Sequence, residues 1–507
     1  MSNDKRYALV LGWLMTVPGM VGCATSGSPA KQAREIPPVV PTYPSAALPI
    51  SPPATAEEID QDRQTTATGV ELTSHFDAAS DADTTTPHHL SVSGPSPGFA
   101  IQPASMTLAD LESLALANNP TIRQLTAVTQ KAAGFRQQVG LRANPVIGYQ
   151  AMQLADEGTD QHTAFISQEF VTAGKLASNR RVLNEAVRAQ QFELEAQQQR
   201  VRTDIRLQYF EALAAQQQVE LTTEFLSVGA QGLKLAQVRK QAMEASQIEV
   251  LQAKIQMNQL DLARQQAEAG LAAAWRGLAA LVGAPDLFPV RLEGRLDEPV
   301  QPLDWAATRS RLLTGSPELL AAQTRAHQAR LYLERQGIQA IPNFNVEFAA
   351  GVDNATNSGL INLEVGAPIP IFNKNQGNIA AARADYCRAL MDVSRIEHSI
   401  KARLATVSNE FDSALAAVNE YQVEILPSVR ESLELAEEAY RAGEFSFLEV
   451  LMVRRTYFES SLQYLESQVQ LARANAQVDG FVLSGGLEPT IDLSGDDGLR
   501  AQTFGQQ

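Results

Sequence analysis

The chain has 507 residues, a formal net charge of −16 and only 6% aromatic residues. That length is typical of two to four domains. The negative charge argues against electrostatic binding of nucleic acid, because the phosphates would be repelled. The two cysteines, Cys23 and Cys387, exclude a disulfide framework and a metal cluster built on cysteine. An acidic balance is compatible with a path for cations, although a solvated surface is the commoner reason for it.

The N-terminus carries an export signal. A basic start precedes the apolar run 7–21, which ends at Gly22-Cys23. This pattern resembles a bacterial lipoprotein signal, and it predicts a signal peptide over 1–22 and lipidation of Cys23; an ordinary signal peptide with an incidental cysteine is the alternative. Because Ala24 rather than Asp follows the cysteine, the resemblance implies sorting to the outer membrane, where the acyl chains would anchor the protein.

Two segments lack folding signals. Residues 23–105 are rich in Pro, Ser, Thr and Ala with an acidic middle, so they bury too little apolar surface to offset chain entropy. We therefore expect a disordered tether there and a disordered tail over 488–507. Ordered structure is predicted to begin near Thr107, a helix N-cap with Asp110 at the capping-box position.

The region between these segments is a tandem repeat. Asn119-Pro120 matches Ser316-Pro317 at an offset of 197, and Glu249-Val250-Leu251 matches Glu449-Val450-Leu451 at an offset of 200. Several anchors at a nearly constant offset indicate duplication. We therefore predict one repeat over 106–300 and a second over 301–487.

Each repeat contains two long helical runs separated by a short break. The runs are predicted at about 175–240 and 247–282 in the first repeat, and at about 374–441 and 447–483 in the second. In the last run, apolar residues recur every seven positions, as in a coiled coil. The longest runs would reach about 100 Å at 1.5 Å per residue. Pro427 is expected to bend the third run; if it ended that run, the break would move there.

Each repeat also contains a pair of short extended segments. They are predicted at about 145–154 and 161–170, and at about 342–352 and 359–369. Apolar and polar residues alternate most clearly in the second pair, which is typical of strands with one apolar face. About ten residues are enough for a tilted strand to cross a bilayer. The residues predicted to face lipid are Ile147, Tyr149, Phe344, Val346, Phe348, Ile361 and Leu363.

Four strands cannot span a membrane alone, because an open sheet leaves edge N–H and C=O groups unsatisfied in hydrocarbon. If the strands span, several chains must pool them in one closed barrel. Two chains would form eight strands and three would form twelve, and only the larger ring leaves room for a passage. A soluble amphipathic hairpin packed on helices is the alternative.

Several motifs together resemble the TolC-like outer-membrane efflux ducts. They are the Asn-Pro helix start, Pro370-Ile371-Phe372-Asn373-Lys374-Asn375-Gln376-Gly377 entering a long helix, and Ala439-Tyr440-Arg441-Ala442-Gly443 before Phe447-Leu448-Glu449-Val450-Leu451. The second of these looks most like the cobalt–zinc–cadmium efflux branch. The resemblance implies a homotrimer with a twelve-stranded barrel in outer-membrane lipid and a periplasmic α-barrel of long antiparallel coiled coils. It also implies docking to a periplasmic adaptor and an inner-membrane pump of the RND type.

The resemblance assigns functional positions to the breaks between the long helices. These would be the periplasmic tips, which in the family meet the adaptor. The positions carried over as tip contacts are Ala242, Ser246, Gly443, Phe447 and Leu448. A plain helix turn is the alternative.

Glu249 and Glu449 fall where the family places acidic residues around the narrowest part of the tunnel. Close carboxylates in a ring would attract cations. The alternative is that each Glu only lies in the first turn of a helix, where its negative charge interacts favourably with the helix dipole. Arg441 would pair with a tip carboxylate and keep the tunnel closed, unless it is an ordinary surface charge.

No catalytic motif is found. The sequence has no His-x-x-x-His pair, no P-loop and no Gly-x-Ser-x-Gly. We therefore expect a non-enzymatic protein without cofactor or metal site: a mainly α chain with a small β part that conducts solutes passively through the outer membrane. A lipid-anchored periplasmic coiled-coil scaffold without a pore is the competing hypothesis. The transported solute, metal cation or organic toxicant, is left open.

Overall fold

The computed structural model describes residues 105–155 and 158–505. The predicted signal peptide, Cys23 and all but the last residue of the predicted tether lie outside the described residues. Within the described part, two similar halves follow one another along the chain. The first half contains β1 (Ser105–Met106), α1 (Leu108–Asn118), α2 (Pro120–Gln138), β2 (Val146–Met152), β3 (Gln161–Phe170), α3 (Lys175–Gln241) and α4 (Gln247–Val282).

The second half repeats this order. It contains β4 (Arg291–Leu292), α5 (Trp305–Gly315), α6 (Pro317–Gln339), β5 (Phe344–Asp353), β6 (Ser358–Gly366), α7 (Gln376–Glu420), α8 (Leu426–Ala442) and α9 (Phe447–Asp479), and α10 (Gly498–Phe504) follows. The predicted fold class, long helices with a small antiparallel β part, is confirmed.

Local chemistry explains where the helices begin. Thr107 and Asp110 form a capping box at the start of α1, and Asn119 accepts the backbone N–H of Thr121 while Pro120 occupies the first turn of α2. These side chains satisfy backbone donors that the first helical turn leaves unpaired.

The third long run is continuous but irregular. A π-helical turn at Tyr421–Ile425 separates α7 from α8, and Pro427 lies in the first turn of α8. Pro cannot donate to a carbonyl in the preceding turn, so the wider turn just before it accommodates the missing hydrogen bond. The helix goes on to Ala442, so the break remains at 442–446.

Two large apolar cores hold the helices together partway along the long helices. The first joins α1, α3 and α4 around Ile205, Leu213 and Leu278, all fully buried. The second joins α5, α6, α7 and α9 around residues such as Ile400 and Phe411. Burial of this kind is the main stabilising term in folding. Toward the ends of these helices at residues 242–246 and 442–446, buried residues become sparse. The apolar cluster there is a small one around Phe447.

The prediction of a disordered tail over 488–507 is wrong for residues 488–505. This segment, which we call the strap, runs beside α2 and ends in α10. Asp492 lies 2.6 Å from Lys131 on α2, and Leu499 and Thr503, one helical turn apart, are buried. The composition of this segment suggested disorder. It is ordered by two buried side chains on one face of a short helix and by polar contacts such as that between Asp492 and Lys131.

The four main strands form one antiparallel sheet in the order β2-β3-β5-β6. Ile147 lies opposite Ile166, Ile166 opposite Phe348, and Phe348 opposite Leu363. The second hairpin therefore adds to the first through β3 and β5. The outer edges of β2 and β6 pair with no other described strand.

Candidate functional site: one sheet and two helix turns

The side chains predicted to face lipid all project from one face of the sheet. Ile147, Phe348 and Leu363 share one cross-strand row, and Tyr149 and Ile361 share the next. Because side chains alternate along a strand, Phe344 and Val346 project from the same face. Exposure reaches 78% at Ile147 and 72% at Ile361. A contiguous apolar face this exposed indicates a surface that requires a partner or lipid.

The opposite face of the sheet carries most of its polar residues and all of its Glu and Asp residues. Glu347 lies directly opposite Glu364, and the four described strands β2, β3, β5 and β6 contain no lysine or arginine. Like charges directly across a ladder are destabilising unless they are solvated. This face therefore suits contact with water.

The first helix turn, residues 242–246, reverses the chain between α3 and α4. Met243 adopts a left-handed conformation with φ of 62°, and the Glu244 N–H donates to the Arg239 carbonyl at 2.8 Å. The second turn, residues 442–446, has the same form: Gly443 has φ of 80°, and Glu444 N–H donates to Ala439. This is the Schellman pattern that closes helix C-termini.

Each turn ends in a capping box. The Ser246 N–H donates to the Glu249 carboxylate at 3.2 Å, and the Glu249 N–H donates to Ser246 Oγ. Ser446 and Glu449 form the same pair, with 2.6 Å from N–H to carboxylate. The Ser446 N–H and hydroxyl lower the pKa of Glu449. The predicted constriction residues thus have a local role as helix caps.

The predicted tip-contact residues do not all lie on the surface. Ala242, Ser246, Gly443 and Leu448 are exposed, whereas Phe447 is 6% exposed and packs against α3 and α4. The assignment of Phe447 to a contact surface is therefore wrong for the described chain. Burial by the other repeat is a long-range effect that the local motif does not reveal.

The tip ion pair also differs from the prediction. Arg441 lies 3.7 Å from Glu437, one turn back on its own helix, rather than beside a carboxylate of either turn. Near the turns, Arg239 reaches the other repeat: its guanidinium donates to the Tyr440 hydroxyl and lies 5.0 Å from the centre of that ring. Arg239 also lies 3.8 Å from Glu244 of the first turn. Both residues sit one turn before a helix break, which is the only sequence signal that points to them.

A buried polar cluster, which sequence analysis missed, joins the sheet to the helices. Lys175 and Arg335 are 1% and 0% exposed. Lys175 donates to the Ile341 carbonyl and to Asn343 Oδ1, and Arg335 donates to Thr503 Oγ1 at 2.8 Å. Burial, reinforced by the Arg335 charge, lowers the pKa of Lys175 to about 8, and burial lowers the pKa of Arg335 to about 10.

Two kinds of feature are absent from the described residues. Over 105–155 and 158–505, no helix combines the length and the apolar character needed to cross a membrane. In the same part of the chain, no three His, Cys, Asp or Glu side chains are grouped so as to hold a metal ion.

Comparison with known proteins gives a consistent result. The family profile described as "Outer membrane efflux protein" matches residues 308–481. The cobalt-zinc-cadmium resistance protein CzcC of Cupriavidus metallidurans is 28% identical over 286 residues, 55% of this chain and 68% of that protein. The pyoverdine export outer membrane protein OpmQ of Pseudomonas aeruginosa is 24% identical over 396 residues, 74% of this chain and 79% of that protein.

Solved structures share the fold. A crystal structure of CusC that describes conformational changes accompanying folding and transmembrane channel formation aligns with a TM-score of 0.62 and 18% identity over 75% of this chain and 92% of that one. The outer membrane protein VceC from Vibrio cholerae aligns with a TM-score of 0.60 and 19% identity over 74% of this chain and 96% of that one.

Proposed function

Because this chain belongs to the outer membrane efflux protein family, we propose that it is the exit duct of a three-component efflux system. In this proposal, three copies conduct solutes passively across the outer membrane, and an inner-membrane pump of the RND type supplies the energy through a periplasmic adaptor.

The sheet is the observation that carries the proposal. One face is mainly apolar and exposed, and the other carries Glu347 and Glu364, with no lysine or arginine in any of the four strands. The strands have seven to ten residues, close to the length that a tilted strand needs to cross hydrocarbon. A water-soluble sheet would bury its apolar face on a core, whereas a barrel wall turns that face to lipid and its polar face to the passage.

The free edges of β2 and β6 support assembly from several copies. Unpaired backbone groups are costly in lipid, and β6 of one copy joined to β2 of the next would remove both edges. Three copies would supply twelve strands, enough for an open interior, whereas eight strands would leave an interior filled by side chains.

The long helices support a tube beneath the barrel. Ile248, Ile255 and Leu262 recur every seven residues on α4 and are each more than half exposed. Such a stripe is typical of a coiled-coil seam, and the described helices of the same chain leave it uncovered. Helices from a neighbouring copy would cover it and close the wall.

The tips and the N-terminus complete the proposal. The exposed turn residues Ala242, Ser246, Gly443 and Leu448 would meet the adaptor. Glu249 and Glu449, repeated in three copies, would line a narrow acidic entrance that favours cations. An acylated Cys23 would add a lipid anchor.

The relatives are named for different solutes. One relative is named for cobalt, zinc and cadmium resistance and another for export of pyoverdine. Metal cations and organic compounds are therefore both candidate solutes, and a duct passes on what its pump delivers.

Charge placed on the two faces of the sheet tests the proposal. Phe348→Arg and Ile361→Arg put a cation on the apolar face, where an Arg at the bilayer midplane costs about 2–4 kcal/mol. Asn362→Arg is the matched control, because it adds the same group to the acidic face beside Glu364. We expect the first two variants to lose trimer, outer-membrane location and resistance, and the control to keep trimer and location. Normal membrane assembly of Ile361→Arg would favour the lipid-anchored scaffold instead.

A further inference from the structure

Where the sheet meets the long helices, equivalent residues of the two halves of the chain have different surroundings. In the first half, β3 enters α3 through residues 171–174; in the second, β6 enters α7 through residues 367–375, which we call the connector. Ile369, Ile371 and Phe372 of the connector are 79%, 65% and 91% exposed. Three large apolar side chains on one short segment require a cover.

The internal repeat determines which residues of the two junctions correspond. Gly174 and Asn375 each precede a long helix and share a left-handed conformation, with φ of 66° and 61° and the same ψ of 21°. When the two sequences are aligned on these two residues, Phe170 corresponds to Ile371.

The preceding strands align through their prolines. Pro145 matches Pro342, so Ile147 of β2 corresponds to Phe344 of β5. The two alignments agree in register, because the pair Tyr149–Ala164 of one hairpin maps onto Val346–Val365 of the other.

In the first half, the equivalent segment is covered by its own chain. Phe170 lies opposite Phe344 in the sheet, and their rings stack with centroids 5.2 Å apart. Thr172 Oγ1 donates to the Pro342 carbonyl at 2.6 Å, and Lys175 Nζ donates to the Ile341 carbonyl. Residues that precede β5 thus form the seat for the segment that follows β3.

In the second half, the described part of the same chain provides no such seat. β6 is an edge strand, so no described strand lies where β5 lies in the first half. Asn373 and Gln376, which correspond to Thr172 and Lys175, are exposed. By the internal repeat, β2 corresponds to β5, and the outer edge of β2 is free. Asn144 and Pro145, which precede β2, match Ile341 and Pro342, which precede β5.

We propose that the connector docks on residues 144–147 of a second copy of this chain, with Ile371 of one copy packed against Ile147 of the next as Phe170 packs against Phe344. Asn373 then donates to the Pro145 carbonyl and Gln376 to the Asn144 carbonyl. The inference rests on the proposed assembly but goes beyond it, because it specifies the register of the joint. Pro368 and Pro370 lack N–H donors, so side chains rather than a long ladder make this contact.

Paired cysteines test this register. The background is Cys387→Ser, since Cys387 is exposed. In membranes, Ile371→Cys with Ile147→Cys should form disulfides between chains on oxidation and give dimer and trimer bands without reductant. Each single variant should give no trimer band. Phe170→Cys with Phe344→Cys is the reference, because it should close within one chain and leave a monomer band with no free engineered thiol.

A second pair separates the possible failures. Leu363→Cys with Ile147→Cys represents closure without stagger, since these residues share one row of the sheet. Cross-linking of this pair in place of the first would overturn the proposed register and leave the duct intact. Absence of both cross-links in a protein that is trimeric in detergent would show that the connector faces lipid, which also overturns the inference. A protein that is monomeric in detergent and in lipid would instead contradict the proposed function.

Discussion

Tyr440, at the end of α8, lies beneath the guanidinium of Arg239, at the end of α3, and accepts its hydrogen bond. The contact joins residues that are far apart in the sequence and links one helix pair to the other next to the two turns. Phe447 continues it, with its ring centre 6.0 Å from that of Tyr440. The two tips of one chain are therefore held to each other.

Loss of this contact should loosen the tips. Arg239→Ala removes a cation–π contact and a hydrogen bond, which at a partly exposed site together contribute about 1–2 kcal/mol. It also removes an ion pair with Glu244 of the first turn, at 3.8 Å. We expect a higher resting conductance of the purified duct in planar bilayers, because the helix ends separate more often. Arg441→Ala is the matched control, since the ion pair of Arg441 is with Glu437 of its own helix. Equal conductance of the two variants would contradict the proposal that the contact between Arg239 and Tyr440 holds the tips together.

Neutral caps should change ion preference without changing the fold. Gln serves in a capping box as Glu does, so Glu249→Gln with Glu449→Gln removes two charges per copy and retains both helix starts. We expect reversal potentials in a salt gradient to shift toward lower cation preference, with unchanged helicity. Glu334→Gln, on the exposed face of α6 beside Arg330, should leave the reversal potential unchanged. If the double variant behaves like this control, the two carboxylates act only as caps.

The strap should stabilise the junction between the sheet and the helices. Thr503→Val removes an acceptor of the buried Arg335 and Asn179 donors, and an unpaired buried donor costs about 1–3 kcal/mol. We expect a lower unfolding temperature and faster proteolysis near α10. Thr314→Val is the control, because its exposed hydroxyl bonds to backbone carbonyls of its own helix. Equal melting of both variants would show that the strap adds no stability.

Buried Lys175 should make stability depend on alkaline pH. Its pKa falls from 10.5 in the unfolded chain to about 8 in the folded protein, so the unfolded state binds more protons between these values. Stability therefore rises with pH through this window, and the penalty for burying the charge is fully present below pH 8. We expect the unfolding temperature to increase from pH 8 to pH 10 relative to Lys175→Met, with no such difference in slope between pH 6 and pH 7.5. A constant difference across the whole range would contradict the shift.

The elements that sequence analysis identified are those coded by local pattern. The alternation around Phe348 and Ile361 identifies a strand face because side chains alternate whatever lies beyond them. Ser446 and Glu449 identify a helix start because both halves of the capping box lie within one turn. Gly443 marks a helix end because it adopts positive φ without strain.

The features that it missed depend on distant partners. The break at 242–246 was predicted, but composition did not reveal the left-handed conformation of Met243, because it costs a residue with a Cβ about 1–2 kcal/mol. Phe447 is buried by α3 and α4, and Arg335 is buried beneath the strap, whose Thr503 lies far from it in the sequence. Such contacts are set by tertiary packing, which local spacing does not record.

The unequal length of the two long runs has a consequence at the far end of the molecule. Each run begins after a left-handed residue and ends at another, from Gly174 to Met243 in the first half and from Asn375 to Gly443 in the second. The second run thus has one residue fewer, which shortens it by about 1.5 Å and turns its last side chains by about 100°. The π-helical turn alters the angle further. A ring of six turns would therefore alternate between two kinds, and any protein seated on it would meet threefold, not sixfold, symmetry.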